Sequence, residues 1–334
     1  MKTRRALTSA LVSIGALSLT APFVPAAFGR TRSPPGSGSY AAFLEGVRAE
    51  AASHGVPGSV LDEALALSAP NAHVLELDRH QPEFTLTWAQ YRARVIGPQR
   101  LAGARSSYQA ELALLTDIWR RYRVDPRIVV GIWGLESNFG TKIGTFNVVD
   151  SLATLAYDGR RASFFRSELM NALRILGNGD VTPSRMIGSY AGAMGQPQFM
   201  PSSYLRYAVD YTGDGRRDIW TSRADVFASI ANYLGKCGWV EGQPWGQPVT
   251  LTAPIDPGQA GRQSMRSLAR WDAAGVRRSD GGRFSQPGVE GALLLPDGAG
   301  GDAFMIYGNF NVIRRYNPSD FYALAVGLIG NAAA

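Results

Sequence analysis

Glu136 is the single carboxylate in the apolar run VVGIWGLESNFG, Val129 to Gly140. An ionised carboxyl is costly to bury, so an acid in such a run must be neutral, paired or in chemical use. Asp125 followed by Pro126 is a helix start of the cap-then-proline kind and Gly140 is a C-terminal stop, which puts Glu136 in the last turn. Helical spacing then gives it Ile132, Trp133, Phe139 and Gly140 as neighbours. Desolvation and the negative end of the helix dipole both raise a carboxyl pKa, so this acid would be protonated near neutral pH. Protonating a glycosidic oxygen requires such a group. A glutamate on a solvated helix face fits the same stretch.

Two further segments carry unusual chemistry. In SYAGAMGQPQFMPSSY, Ser189 to Tyr204, Gly192 and Gly195 allow close backbone approach, Gln196 and Gln198 offer amides, and Tyr190, Phe199 and Tyr204 offer ring faces. The segment suits a sugar groove, and equally a small-residue helix packed in a core. In DYTGDGRRDIW, Asp210, Thr212, Asp214 and Asp218 occupy positions 1, 3, 5 and 9 of an EF-hand-like loop, with Gly215 at the turn and the Arg216 carbonyl at position 7. Hard oxygen ligands at this spacing suit a structural calcium ion. Position 12, however, is Thr221 in place of the bidentate glutamate, and the alternative is an Asp-Gly turn whose charge is offset by Arg216 and Arg217.

Other chemistries are disfavoured by residue inventory. His54, His73 and His80 all lie in the first quarter of the chain, away from these segments, which argues against serine–histidine and histidine–metal sites. Neither a Walker loop nor a G-x-G-x-x-G follows a strand-like run. Cys237 is the only cysteine, so no intrachain disulfide and no thiolate metal cluster can form.

The elements that must hold these residues start after an export pattern. MKTRR is a basic n-region, ALTSALVSIGALSLT an apolar h-region, and PFVPAA suits cleavage near Ala27, by either the Sec or the Tat route. Removing residues 1–27 takes away three basic residues and no acid, lowering the formal charge from +7 to +4. That mild excess suits an acidic cell-wall polymer and lacks the Lys and Arg runs of a nucleic-acid binder. Residues 28–38, FGRTRSPPGSG, read as a flexible linker. Beyond them, AAFLEGVRAEAASHG and SSYQAELALLTDIWRRYR have helical periodicity, so the first half is mainly helical. GQPVTLTAP and GALLLPDGAGGDAFMIYG read as short strands and turns flanking a short helix in MRSLARWDAAGV, and PSDFYALAVGLIG closes as a helix capped by Ser319.

GLESNFG, SYAGAMGQPQFMPSSY, DYTGDGRRDIW, IANYLGKCGWV and FNVIRRYNPSDFYALAV occur in the order found in the membrane-bound lytic transglycosylase B family, which this chain resembles over roughly residues 40 to 330. The resemblance implies a mainly α (α+β) fold: a lysozyme-like helical catalytic core, an additional helical region and a small β/loop subdomain. The catalytic unit would span 39–334, with its core at about 105–240 and a closing segment at 303–331. The implied activity is cleavage of the bond between N-acetylmuramic acid and N-acetylglucosamine without water, leaving 1,6-anhydromuramic ends, with peptidoglycan glycan strands as partner and no catalytic cofactor.

The same resemblance places the acid/base on Glu136 and groove residues on Ser189, Gln198, Phe199, Tyr233, Tyr316, Asn317 and Tyr322. It favours calcium at Asp210, Thr212, Asp214 and the Arg216 carbonyl. No lipid-accepting cysteine follows the leader and no wall-binding module follows the last helix, so a soluble, periplasmic protein without a membrane anchor is expected. Hydrolases of the usual kind need two carboxylates, whereas these motifs supply one. A lone acid points to substrate assistance, and the resemblance implies that the sugar's own 6-hydroxyl is the nucleophile. Asp150 and Asp158 are the nearest downstream carboxylates and read as cap or turn residues, or as a second catalytic acid. The alternatives to the transglycosylase are a hydrolytic muramidase and a non-catalytic peptidoglycan-binding protein.

Overall fold

The computed structural model describes residues 39–80 and 86–333. The leader and linker read in 1–27 and 28–38 lie outside the described residues. The chain opens with helices α1 (Tyr40–Ser53), α2 (Gly58–Ala64), α3 (Ala72–Arg79), α4 (Trp88–Val95), α5 (Pro98–Ala110), α6 (Leu112–Tyr122) and α7 (Pro126–Ser137). Their starts follow side chains able to satisfy open N–H groups. Ser39 accepts from Ala42, Asn71 from His73 and Val74, and Thr87 with Gln90 forms a reciprocal capping box.

Next come β1 (Phe146–Asn147), α8 (Val148–Asp158), α9 (Ala162–Gly177), β2 (Ile187–Gly188), α10 (Pro201–Tyr207) and α11 (Arg223–Lys236). β1 and β2 form a two-stranded antiparallel pair, with Phe146 opposite Gly188. The rest consists of β3 (Gly246–Leu251), β4 (Arg266–Ser267), α12 (Leu268–Ala273), β5 (Val276–Arg278), β6 (Glu290–Leu294), β7 (Ala303–Ile306), α13 (Gly308–Tyr316) and α14 (Asp320–Asn331). The strands read from sequence are β3, β6 and β7, and the closing helix with its Ser319 cap is α14.

The five-stranded sheet has the order β4-β6-β7-β3-β5 and its pairs are antiparallel. Side chains alternate across it as a pleat requires. Phe304 and Ile306 of β7 point into the large helical core, whereas Ala303 and Met305 point into a second cluster built on Trp271 of α12. The sheet is therefore fastened to the helices by one face. Its β6–β7 loop also reaches α4: Asp297 accepts from the N–H groups of Trp88 (2.6 Å) and Ala89 (2.8 Å), and Asp302 accepts from the Trp88 indole at 2.8 Å.

α7 and α14 cross at the centre of the molecule, and small residues permit the contact. A Cβ on Gly131 of α7 would lie 2.4 Å from the Val326 carbonyl oxygen, and one on Gly330 of α14 would lie 2.8 Å from the Arg127 carbonyl oxygen. Both close approaches are backbone to side-chain position, so neither relaxes by a rotamer change. No helix among the described residues is long and apolar enough to cross a membrane.

Gly131→Ala is expected to destabilise the fold by about 1–3 kcal/mol through overpacking. Gly46→Ala, in the exposed interior of α1 with nothing within 4 Å of the new methyl, should stabilise by about 0.5–1 kcal/mol. Urea denaturation of the two variants checks both signs. A Gly131→Ala protein as stable as wild type would show that α7 and α14 are not held at this separation.

Candidate active site

α7 starts as the sequence indicates: Asp125 accepts from the Arg127 N–H at 2.9 Å and Pro126 fills the first helical position. Glu136 sits in the last turn. Beyond Ser137 the chain departs from a simple glycine stop, because Asn138 (φ 49), Phe139 (φ 59) and Gly140 (φ 79) all take left-handed conformations. Two consecutive non-glycine residues there are strained and must be held by their surroundings. Ser137 supplies one hold, its hydroxyl accepting from the Gly140 N–H at 3.0 Å and donating to the Trp133 carbonyl at 3.0 Å. Phe139 supplies another, its ring filling the space that Cβ atoms on Gly134 and Gly103 would need. It also meets Trp133 edge-on at 5.5 Å.

The left-handed turn changes the expected surroundings of Glu136. Phe139 and Gly140 do not continue the helix beside it, and the groups around the carboxyl are phenols. Tyr322 of α14 donates to Glu136 Oε1 at 2.6 Å. Tyr316 at the end of α13 stacks on Tyr322, with ring planes 11° apart and centroids 6.4 Å apart. Tyr91 of α4 feels the charge of Glu136 as well. Burial raises the Glu136 carboxyl from 4.5 to about 7, opposed by the Tyr322 hydrogen bond, which favours the charged form. Burial, then the neighbouring Glu136, pushes the Tyr322 and Tyr316 phenols well above their usual value, so both are firm proton donors. Tyr91 escaped the sequence reading. Its signal was the shared helix face with Trp88, three residues earlier.

The glycine-rich segment is not a helix before α10. It turns on Gly192 (φ 91), Gly195 (φ 61) and Gln198 (φ 52), with bridges pairing Met194 to Gly188 and to Phe199. Gly195 has no alternative, since its Cβ would lie 2.6 Å from the Ile219 carbonyl oxygen. Ser189 accepts from the Ala193 N–H at 3.0 Å. Gln198 donates to the Gly195 carbonyl at 2.8 Å and to the Ile143 carbonyl at 3.1 Å, linking this segment to the loop after α7. Gln196 is buried and makes the tighter link: it accepts from the Trp133 indole at 2.8 Å and donates to the Trp220 carbonyl at 2.8 Å.

Phe199, Tyr233 and Tyr316 form one aromatic group, with centroids 4.7 to 5.8 Å apart. Phe199 is only 2% exposed, so it backs the wall from behind. Tyr233 and Tyr316 spend their hydroxyls on main-chain carbonyls, those of Arg315 (2.5 Å) and Pro197 (2.6 Å). Asn317 accepts from the Ser319 N–H at 3.1 Å, which fixes the corner between α13 and α14. The structure thus gathers Glu136 of α7, Tyr316 of α13 and Tyr322 of α14 around one carboxyl, and Asn317 follows Tyr316 at the corner between the last two helices. Ser189 and Gln198 stand on the adjoining segment.

The two candidate second carboxylates are engaged elsewhere. Asp150 accepts from the Asn71 amide at 2.7 Å, and Asp158 pairs with Arg79 at 2.8 Å. Buried Glu168 accepts from the Ser202 N–H and hydroxyl, capping α10. None of the three acts on the Glu136 proton, whose pKa is set by burial and Tyr322.

The acidic loop closes on itself. Asp210 accepts from the N–H groups of Gly213 (2.6 Å) and Gly215 (2.8 Å), and Asp214 from that of Arg216 (3.0 Å). The Thr212 hydroxyl reaches Asp210 at 3.3 Å, and Thr221, at position 12, donates to Asp218. Asp225, buried on α11, accepts from the N–H groups of Tyr211 (2.8 Å) and Asp218 (2.9 Å). No three Asp, Glu, His or Cys side chains among the described residues converge as a metal would require. As placed, the Asp210, Asp214 and Asp218 carboxylates are turned to main-chain N–H groups of their own loop.

Residues 39–331 match the family model described as the transglycosylase SLT domain. The chain is 34% identical over 292 residues to membrane-bound lytic murein transglycosylase B of Escherichia coli K12, covering 84% of this chain and 79% of that protein. Among solved structures it is similar to SltB3 from Pseudomonas aeruginosa in complex with NAG-anhNAM-pentapeptide, at TM-score 0.84 and 43% identity, over 88% of this chain and 79% of that one. It is also similar to the Escherichia coli lytic transglycosylase Slt35 in complex with calcium, at TM-score 0.72 and 33% identity, over 88% and 92% of the two chains. These neighbours have the lysozyme-like architecture.

The raised Glu136 pKa predicts how stability depends on pH. Below about pH 4.5 the carboxyl is protonated in both folded and unfolded chains and costs nothing; between 4.5 and about 7 the unfolded chain ionises first, so folded stability falls as pH rises. Glu136→Gln, which cannot titrate, should be more stable than wild type at pH 8 by an amount exceeding the difference at pH 4 by on the order of 3 kcal/mol. Denaturant titrations at the two pH values measure this. A difference independent of pH would mean that the carboxyl is not desolvated.

Proposed function

Since the chain belongs to the transglycosylase SLT family, we propose that Glu136 alone performs both proton transfers of a non-hydrolytic glycosidic cleavage. The protein is a peptidoglycan lytic transglycosylase, and its partner is the glycan strand. The observation that carries the mechanistic reading is the Glu136 carboxyl itself: lifted to about 7 by burial, held through Oε1 by Tyr322, and without a second carboxylate acting on it. Such a group is partly protonated at neutral pH and can both give and take a proton.

In the proposed sequence the Glu136 proton passes to the oxygen of the bond between N-acetylmuramic acid and N-acetylglucosamine as the C1–oxygen bond breaks. The acetamido oxygen of the muramic residue covers C1 as charge develops there. The 6-hydroxyl oxygen of the same sugar then attacks C1, the acetamido group leaves, and the Glu136 carboxylate takes the hydroxyl proton. Glu136 ends protonated, ready for the next turnover. An intramolecular nucleophile has a very high effective concentration and needs no second base to activate water. Tyr322 fixes one carboxyl oxygen and leaves the proton to be carried on Oε2. Ser189, Gln198, Tyr316 and Asn317 are proposed as groove contacts, with Phe199 and Tyr233 supporting the aromatic wall. Export to the periplasm belongs to the same reading and is supported by the leader pattern in residues 1–27.

The acidic loop is read as a hydrogen-bonded turn that stands without a cation. Excess calcium and excess chelator are therefore expected to leave the melting temperature the same within about 1 °C, since a ligand that binds only the folded state would raise it. A rise of several degrees with calcium would establish a structural site at Asp210, Thr212, Asp214 and the Arg216 carbonyl.

Digestion of purified sacculi tests the mechanism. Products should end in 1,6-anhydromuramic acid, be lighter by one water than hydrolysis products, and carry no label when formed in heavy-oxygen water. Glu136→Gln should fold and lose activity by roughly 10⁴-fold or more, the upper end for a general acid/base group. Labelled reducing ends would identify a muramidase with a second carboxylate, and near-normal rates in Glu136→Gln would remove the residue from the chemistry.

A further inference from the structure

Asp320 is the first residue of α14, and two arginines converge on it. Arg314, from the last turn of α13, places Nε 2.6 Å from Asp320 Oδ1. Arg262 places Nε 3.0 Å from the same oxygen. The second arginine comes from the loop that precedes β4, so it belongs to the sheet region, which lends no group to the acid/base centre. All three side chains are half-buried, at 19% to 31% exposure. Arg314 also donates to the Pro318 carbonyl, so the corner between α13 and α14 is tied at several points.

The corner carries the partner of Glu136. Ser319 caps α14 by accepting from the Tyr322 N–H at 3.3 Å, and the Tyr322 hydroxyl donates to Glu136 at 2.6 Å. From Asp320 to Tyr322 is two residues within one helical turn. A shift of the helix end therefore moves the phenol directly.

Two cations on one half-buried carboxylate leave a net positive charge that must be desolvated. Burial, with Arg262 adding to it, indeed makes the Arg314 guanidinium less favourable than in water. As a stability device such a triad yields little. Its yield is positional: both guanidinium groups approach the same oxygen, Asp320 Oδ1, through Nε as ion pairs without hydrogen-bond geometry, and their joint attraction draws the start of α14 toward α13 and toward the sheet region at once. We infer that Arg262 is a positioning residue: through Asp320 it holds the start of α14 so that the Tyr322 hydroxyl meets Glu136. This rests on the proposed acid/base role of Glu136. The titratable and charged groups facing Glu136 are Tyr322 from α14, Tyr316 from α13 and Tyr91 from α4, with Arg100 of α5 beside Tyr91. Of these, Tyr322 is the one that hydrogen-bonds the carboxyl and lowers its pKa.

The test is the pH dependence of kcat and kcat/KM on soluble glycan-peptide fragments. Glu136→Gln is measured first, and activity in it would refute the acid/base reading itself. With that variant inactive, Arg262→Gln should move the alkaline limb of kcat/KM upward by on the order of half a pH unit, because a loosened Tyr322 bond no longer favours the carboxylate. kcat should fall roughly 3- to 10-fold with KM little changed. Arg262→Lys should restore part of both, and Asp320→Asn should reproduce the shift should Arg262→Gln fail to fold. In a Tyr322→Phe background, Arg262→Gln should move the limb no further, since both act through one hydrogen bond. An alkaline limb that stays in place in Arg262→Gln, or shifts that add in the double variant, would overturn the inference and leave the role of Glu136 intact.

Discussion

The hydrogen bond from Tyr322 to Glu136 joins α14 to α7, and its length depends on how closely those two helices approach. The approach is set by absent side chains. Gly131 admits the Val326 carbonyl, and Gly330 admits the Arg127 carbonyl, so the helices meet backbone against side-chain position. At that separation the carboxyl at the end of α7 lies within reach of a phenol two residues into α14. The acid and its partner come from chain segments 186 residues apart. Neither segment alone contains the site, which explains why a small shift of either helix would change the chemistry before it changed the fold.

The other side of Glu136 is held by a chain of buried polar bonds. Trp133, three residues before it, donates to Gln196; Gln196 donates to the Trp220 carbonyl; the Trp220 indole donates to the Ile187 carbonyl at 2.8 Å. A buried network of this kind is favourable only when every member is satisfied, and here each amide and indole has its partner. The same chain connects α7, the glycine-rich segment and the acidic loop. Asp180, in the turn after α9, ties the acidic loop down a second time through its pair with Arg217 at 2.5 Å. The strained residues Asn138 and Phe139 are kept in place by these surroundings.

What could be read from the sequence follows the range of the interactions involved. The position of Glu136 in a last helical turn was legible because Asp125, Pro126 and Gly140 act locally. Strands β3, β6 and β7 and the Ser319-capped last helix were legible for the same reason, whereas β4 (Arg266–Ser267) and β5 (Val276–Arg278) fall at the two ends of the segment read as one short helix, where pairing with β6 and β3 decides the outcome. The shape of residues 189–200 was not, since small residues permit both a packed helix and a tight turn, and contacts with Leu152 and Ile219 decide between them. The phenol lining of the site was hidden as well. Tyr91 and Tyr322 reach Glu136 only after α4 and α14 pack, and the departure of Phe139 from helical geometry depends on the space left by Gly134 and by Gly103 on another helix. The family resemblance reached Tyr322 and Tyr316, although no local pattern connects them to the acid. In the acidic loop the spacing of aspartates was visible, whereas their use by main-chain N–H groups was not.

A lone carboxyl at about 7 is also the simplest solution to the proton balance of an intramolecular cleavage. A residue that must first donate and then accept works best when its two forms are close in free energy, because a lower pKa would weaken the acid step and a higher one would weaken the base step. Burial alone would drive a carboxyl further up, and the Tyr322 hydrogen bond opposes it by favouring the charged form. The pocket therefore sets the acid by two opposed effects of comparable kind, one spread over many packed atoms and the other concentrated in a single hydroxyl. A hydrolase divides the same work between two carboxylates with separated pKa values. In the proposed mechanism the substrate's own hydroxyl takes the place of the second carboxylate, which leaves the protein one pKa to place, raised by burial and trimmed by the phenol on α14.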